Sequence, residues 1–351
     1  MNQIIKTSAF IGTLLLGGTL LAGNEDRVGS AGASQLLINP WARSSAVGDA
    51  SFASVTGVEA QYMNIARLAY ADKTQIKFNM TNWLGNAGVR LYTSGLSQRI
   101  SESSVIAISV QSMNFGDIDI TTVNNPEGGI GVFTPRLNVF NVGYARKFSN
   151  TISAGINFKV ISEAIANMKS TGVAIDAGIS YVSGEKDQIK FGIALKNVGP
   201  TMKYKGDGLS DQVTYLSTGN VGTLEQRSQT FELPSLLNIG ASYDFIFSES
   251  NKLTAMFGFT ANSFSQDQYR LGVDYALVKE KAAFNFRLGY VYEKNLFSAE
   301  NRTNAMVGPS AGFSVDILAG KNKNPLGIEY ATRMTGPFGF IHTFGVAIGV
   351  K

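Results

Sequence analysis

From Gln75 to the C-terminus the chain alternates apolar and polar residues with a period of two, in segments of about nine to thirteen residues. Leu237, Ile239, Ala241, Tyr243 and Phe245 form one row, and Asn238, Gly240, Ser242 and Asp244 the other. The split recurs in Leu253-Ala255-Phe257-Phe259-Ala261, Tyr269-Leu271-Val273-Tyr275-Leu277 and Phe284-Phe286-Leu288-Tyr290-Tyr292. Successive side chains on a strand point to opposite faces, so each segment reads as a β-strand with one apolar and one polar face. Fourteen such segments occur, at 75–83, 87–98, 104–114, 138–148, 151–161, 171–183, 188–197, 236–246, 252–262, 267–278, 282–294, 308–318, 325–333 and 339–350. The number is even, as a closed antiparallel barrel with both strand ends on one side requires. The pattern predicts an all-β fold, a 14-stranded antiparallel transmembrane β-barrel.

A soluble sandwich would bury the apolar row, whereas a membrane barrel shows it to lipid. Charge and glycine decide between them. In segments 5 to 14 most charged residues share the polar row, among them Lys159, Asp176, Lys190, Lys196, Asp244, Asp274, Arg287, Asp316, Glu329 and Arg333. Glycine shares it too, at Gly155, Gly178, Gly192, Gly240, Gly258, Gly272, Gly289, Gly312, Gly327 and Gly345. On a water-facing strand Gly only weakens the sheet, but inside a barrel it leaves room for a plug or a bend. The apolar row therefore faces outer-membrane lipid and the mixed row lines the lumen.

Connection lengths agree. With strand 1 starting on the periplasmic side, links at that end are short, and the other end carries 115–137, 198–235 and 295–307. Short periplasmic turns and long outer loops are the asymmetry of outer-membrane barrels. Loops on rigid scaffolds concentrate binding residues. Phe133, Tyr204, Lys205, Phe231 and Leu233 are the candidate partner contacts there, against an ordinary loop folded over the barrel mouth.

Met1 to Gly23 has a short n-region with Lys6, an apolar stretch from about Ala9 to Leu21 and a small-residue exit at Ala22-Gly23. That layout predicts a secretory signal peptide, residues 1–23. No later stretch reaches 18 consecutive apolar residues, so helical spanning is excluded for the rest. Residues 24–74 do not alternate. They are rich in Ala, Ser and Gly, with a turn at Asn39-Pro40 and a short helix predicted from Ala42 to Ala53. Barrels of about eight strands fill themselves with side chains and larger ones do not. The segment is expected to fold inside as a hatch, with a periplasmic cap as the alternative, and residues 75–351 form the barrel. Both mature termini are expected on the periplasmic side.

The inventory of reactive groups is thin. There is no Cys, which excludes thiolate chemistry, Cys-ligated metal and disulfides, and the one His, His342, lies on the lipid-side row beside Phe340 and Phe344. The run Pro126-Glu-Gly-Gly-Ile-Gly131 lacks the Lys-Ser/Thr of a phosphate loop. Asp117 and Asp119 are two carboxylates without further oxygens, a poor cation site. The net charge of +4 is dispersed, with no basic arm for nucleic acid. The sequence predicts no enzyme, no cofactor and no metal site.

Asn39-Pro40-Trp41-Ala42-Arg43, then Gly48-Asp49-Ala50 and Ala53, then Asn64-Ile65-Ala66-Arg67-Leu68-Ala69, resemble the N-terminal signature of the PorV/PorQ family, which is related in fold to the FadL fatty acid transporters. Ile65 stands where that pattern has Pro. The resemblance implies a structural hatch motif at Asn39, Pro40, Ala42, Arg43, Gly48, Asp49, Asn64 and Leu68. For the favoured PorV branch it implies an outer-membrane component of the type IX secretion system. Such a component associates with the giant translocon barrel called SprA or Sov and receives secreted cargo through its C-terminal domain. Alternatives implied by relatives are FadL-like transport of hydrophobic small molecules and a PorQ-like anchor of a surface attachment complex.

Overall fold

The computed structural model describes residues 23–85, 87–215, 219–298, 302–320, 323–336 and 338–350. The expected signal peptide lies outside them but for Gly23. Fourteen of the strands close into one antiparallel barrel. In chain order they are β1 (Thr74–Trp83), β2 (Val89–Arg99), β3 (Ser104–Asn114), β6 (Arg136–Lys147), β7 (Ile152–Ile165), β8 (Met168–Ser183), β9 (Ile189–Val198), β12 (Leu236–Ser248), β13 (Asn251–Asn262), β14 (Gln268–Val278), β15 (Ala282–Glu293), β16 (Pro309–Ala319), β17 (Asn324–Thr335) and β18 (Gly339–Val350). Each pairs with its chain neighbour, and β1 closes on β18 from Thr74↔Val350 to Asn82↔His342. Two small hairpins lie in the connections, β4 (Ile118–Asp119) with β5 (Val132–Phe133) and β10 (Ser210–Thr214) with β11 (Val221–Glu225). The strands run 10 to 16 residues, and a tilted strand needs about 9–11 to cross a bilayer.

The outer face carries the apolar row. Ile108, Val142, Ile179, Leu271, Leu288 and Ile328 are each more than half exposed, while their neighbours point inward and are buried or half-buried. His342 is on this face, with its Nδ1 2.8 Å from the Tyr330 hydroxyl and its ring stacked on the Tyr330 ring. Connections at one end are short, at 100–103, 148–151, 184–188, 249–250, 279–281 and 320–323. The opposite end carries 115–135, 199–235 and 294–308 alongside four short links. These are called the short-turn and long-loop ends below.

One hairpin is longer than its alternation predicts. β7 runs to Ile165 and β8 begins at Met168, where the expected strands stopped at 161 and began at 171. The row assignment continues, but the chemistry no longer separates: apolar Ile161 and charged Glu163 both point inward and are buried, and polar Ser162 and Thr171 take the outward side. Beyond the lipid belt there is no penalty for polar residues outside, so the hydrophobic signal ends before the hydrogen bonding does.

Residues 33–73 line the lumen, and residues 23–32 lead into them. Gly23 to Gly32 sit at the long-loop end, where Asn24 N donates to Asn262 O, Ala31 bridges Glu232, and Arg27 pairs with Glu232 at 2.6 Å. The chain then runs through short helical turns at Ser34–Leu37, Ala42–Ala46, Gly57–Glu59, Ala60–Met63 and Ile65–Tyr70. It leaves at the short-turn end, where Arg99 N donates to Lys73 O and the Arg99 guanidinium to Ala71 O. The first described residues are thus at the opposite end from Val350, and the expectation that both mature termini share the periplasmic side is corrected. An even strand count places only Thr74 and Val350 together. A segment that crosses the barrel once before β1 must begin at the other end.

Candidate functional site

The lumen is filled, and the glycines on the inward row show how. A Cβ on Gly289 would lie 2.1 Å from Gly48 N and Val47 C, one on Gly192 2.6 Å from Phe52 O, and one on Gly240 2.8 Å from Phe52 Cβ. Gly178 is filled by Asn64 Oδ1, Gly155 meets Ile65, and Gly312 meets Ala46. Several of these face one another across neighbouring strands, as Gly155↔Gly178, Gly192↔Gly240↔Gly258 and Gly272↔Gly289. They form a belt of missing side chains into which the inner segment presses its backbone. The local conformation of the segment matches: Gly48 has φ +63° and Asp49 φ +55°, a left-handed pair that turns the chain tightly against Tyr290.

Ion pairs tie the segment to the wall at two levels. Toward the short-turn end Arg43 donates to Asp316 at 2.7 Å and to Glu329 at 2.5 Å, and Lys77 pairs with Glu329 at 2.8 Å and with Glu59. Glu59 accepts in turn from Ser44 N and Oγ at 3.1 and 2.8 Å. The network therefore alternates between segment (Arg43, Ser44, Glu59) and wall (Asp316, Glu329, Lys77). Higher up, Asp49 accepts from Asn39 Nδ2 at 2.6 Å, Arg270 at 3.0 Å and Arg333 at 2.8 Å. Burial alone would raise the Asp49 carboxyl, but Arg333, Arg270 and the Asn39 hydrogen bond outweigh it and hold the group below the usual carboxylate range. Buried charges persist only when paired and hydrogen-bonded in this way.

All eight hatch-motif residues lie in the inner segment. Asn39 Oδ1 accepts from Trp41 N at 3.0 Å and so folds the Asn39-Pro40 corner that precedes the helix Ala42–Ala46. Pro40 and Ala42 are buried behind it. Asn64 Oδ1 accepts from Ala66 N and its Nδ2 donates to Phe52 O and Ile179 O, so one amide joins two parts of the segment to β8. Ile65, in place of Pro, opens the turn Ile65–Tyr70 and is buried, as is Leu68.

The outer-loop candidates divide. Leu233 is buried with Ala33, Leu36, Ile161 and Met202. Phe231 packs on that cluster and over Gly32. Tyr204 donates to Glu163 at 2.6 Å, beside the Phe231 ring, and burial with the Glu163 carboxylate raises its phenol. Leu233 and Phe231 fasten loop 199–235 down onto the inner segment, and Tyr204 ties it to β7. Lys205 is exposed, its backbone paired with Lys169, and Phe133 is half-buried in the β4–β5 hairpin. Asp117 accepts from Thr134 in the same hairpin. Among the described residues no group of three or more His, Asp or Glu side chains is placed to hold a metal ion.

Sequence reading missed Phe52, Val47, Glu59 and Lys77. Lys77 is inward on β1, a row in which Asn79 and Thr81 also face in. Its pairing with Glu59 was signalled by a lone Lys on the lumen row, in a strand of weak alternation.

Among the described residues, polar cavities remain between segment and wall, two of them large enough to matter here. One of about 290 Å³ at the short-turn end is lined by Arg43, Glu59, Arg67, Lys77, Lys190, Asp244 and Arg287 among others. The second, of about 80 Å³, lies toward the long loops and includes Asp49, Tyr62, Lys196, Arg270 and Arg333. Residues 43–63 contribute wall to both.

Residues 22–223, more than half of the chain, match the family described as type IX secretion system protein PorV. Among solved structures the barrel is similar to the Pseudomonas putida toluene transporter TodX, at 11% identity and a TM-score of 0.55, with 89% of this chain and 97% of that one covered. It is also similar to the monoaromatic hydrocarbon channel CymD, at 11% identity and a TM-score of 0.53, with 93% and 97% covered. At such identity the likeness is one of fold. No curated protein matches the sequence.

Proposed function

The chain belongs to the PorV family of type IX secretion system proteins, and from that premise we propose that it is the plugged partner of the giant translocon barrel, receiving secreted proteins by their C-terminal domains at its long-loop end. It is an outer-membrane barrel of FadL-like fold. Its role in this reading is non-enzymatic: it holds and hands over protein, and makes or breaks no bond.

The observation that favours protein handling over solute uptake is the chemistry of the lumen. The inner segment occupies the glycine belt and is bonded to the wall by charges of both signs. A hydrophobic solute needs an apolar path, and the cavity at the short-turn end is walled by Arg43, Glu59, Lys77, Lys190, Asp244 and Arg287. With the lumen occupied, the surface available for cargo is the long-loop end, where Lys205 and the hairpin around Phe133 project. Tyr204, Phe231 and Leu233 hold that surface in shape from beneath.

The test is secretion in cells that lack the chain. The proposal expects proteins with type IX C-terminal domains to accumulate in the periplasm, and a copy with loop 115–135 shortened to restore the barrel but not export. Normal surface delivery without the chain would refute it.

A further inference from the structure

Lys196, on the inward row of β9, is 3% exposed, and neither a hydrogen bond nor an ion pair to its ammonium is found among the described residues. Its one close neighbour of note is the face of the Tyr62 ring, 3.6 Å from Nζ. A cation–ring contact offsets only part of what a buried ammonium loses in leaving water. The nearest inward carboxylate on β8, Asp176, is engaged by Lys159 at 2.7 Å and by the Asn197 backbone.

Lys196 lines the cavity of about 80 Å³ with Arg270 and Arg333, and the carboxylate in that lining is Asp49. Asp49 is already shared between the two guanidiniums and Asn39. Three cations thus face one anion. The donors are also incompletely used: Arg333 Nη2 reaches Asp49, but its buried Nε has no acceptor. An uncompensated positive cavity with idle donors is what an anion site looks like before the anion is placed.

We propose that this cavity binds a small anion, of halide or short carboxylate size, held by Lys196 against the Tyr62 ring. The cavity is small, about 80 Å³, which suits a compact anion. Lys196 and both arginines belong to the wall, whereas Asp49 and Tyr62 belong to the inner segment. The bound anion therefore adds a contact between wall and segment and stabilises the filled barrel. The inference is independent of the secretion role.

The experiment uses the full chain in detergent micelles, exchanged into a buffer whose anion is gluconate, much bulkier than either probe anion. Bromide or acetate is titrated while thermal unfolding is followed by tryptophan fluorescence. Because a ligand that binds the native state raises its stability by mass action, a saturable rise in the midpoint is expected for wild type and not for Lys196→Met. Lys252→Gln, at the other end of the lumen, is expected to keep it. Bromide acting alone identifies a halide site, and acetate acting alone a carboxylate site. No saturable shift, or the same shift in Lys196→Met, overturns the proposal. Should Lys196→Met fail to fold, bromide-soaked wild-type crystals decide: an anomalous peak within hydrogen-bond reach of Lys196 Nζ supports the site, and its absence there overturns it.

Discussion

Asp49 of the inner segment and Arg333 of β17 meet at 2.8 Å inside the barrel, 284 residues apart in sequence. Arg270 of β14 reaches the same carboxylate at 3.0 Å. One side chain of the segment therefore holds two strands of the wall. Asp49→Asn leaves both guanidiniums buried without a carboxylate, and breaking a buried pair from one side costs about 3–5 kcal/mol. Thermal unfolding in micelles is expected to show a loss of that order, with Asp49→Glu intermediate.

The same carboxylate gives a pH dependence. Its folded pKa lies below the ordinary value despite burial, because Arg333, Arg270 and Asn39 favour the charged form. A depressed folded pKa means that the stabilisation is complete above the unfolded-state value, near ~3.9, and is lost as the pH falls through the folded value. Stability measured from neutral pH downward is expected to fall below about pH 4 in wild type, and more shallowly in Asp49→Asn.

Arg43 and Glu329 form the lower tie, at 2.5 Å. Arg43→Met and Glu329→Gln are each expected to destabilise the barrel, and the double variant by less than the sum. The coupling is expected within roughly 0.5–3 kcal/mol, the range for groups sharing a network. Additive effects in that cycle would show that the pair does not act as a unit.

Much of this was legible beforehand, for a physical reason. Lipid on one side and a filled lumen on the other impose opposite chemistry on alternate residues, so most of the fourteen strands announced themselves through period two, and the first, second and fourth did so only weakly. The inward glycines were legible as spaces, and the charged row as lumen. What fills the spaces was not, since nothing in the sequence says that Phe52 meets Gly240 or that Val47 meets Gly289. Those are contacts between irregular backbone and a distant strand, with no periodicity to mark them. The position of Gly23 to Gly32 was misread for a similar reason: strand counting constrains strands, and the inner segment has none.

The belt predicts a steric result. Gly289→Val places atoms where Gly48 N and Val47 C already lie, so the segment must leave or the barrel must fail to close. Loss of the folded form on unheated gels, or protease cleavage within residues 40–60 of a folded barrel, is expected. Ala311→Val, on the lipid face opposite Leu288, is expected to do neither.

The path of the segment predicts a topology. A short epitope inserted after Ser30 is expected to bind antibody on intact cells, because Ala31 and Arg27 lie against Glu232 of the longest outer loop. The same epitope in the turn 184–188 is expected to react only after the outer membrane is opened. The reverse pattern would invert the assignment of the two ends.

The central claim is the partnership, and co-purification tests it most directly. With an affinity tag in the turn 184–188, the outer membrane is extracted in mild detergent and the proteins retained are identified. The account predicts a very large barrel protein together with secreted proteins sharing a C-terminal domain. Recovery of the tagged barrel alone, carrying a hydrophobic small molecule, would contradict it and make solute uptake the function to pursue.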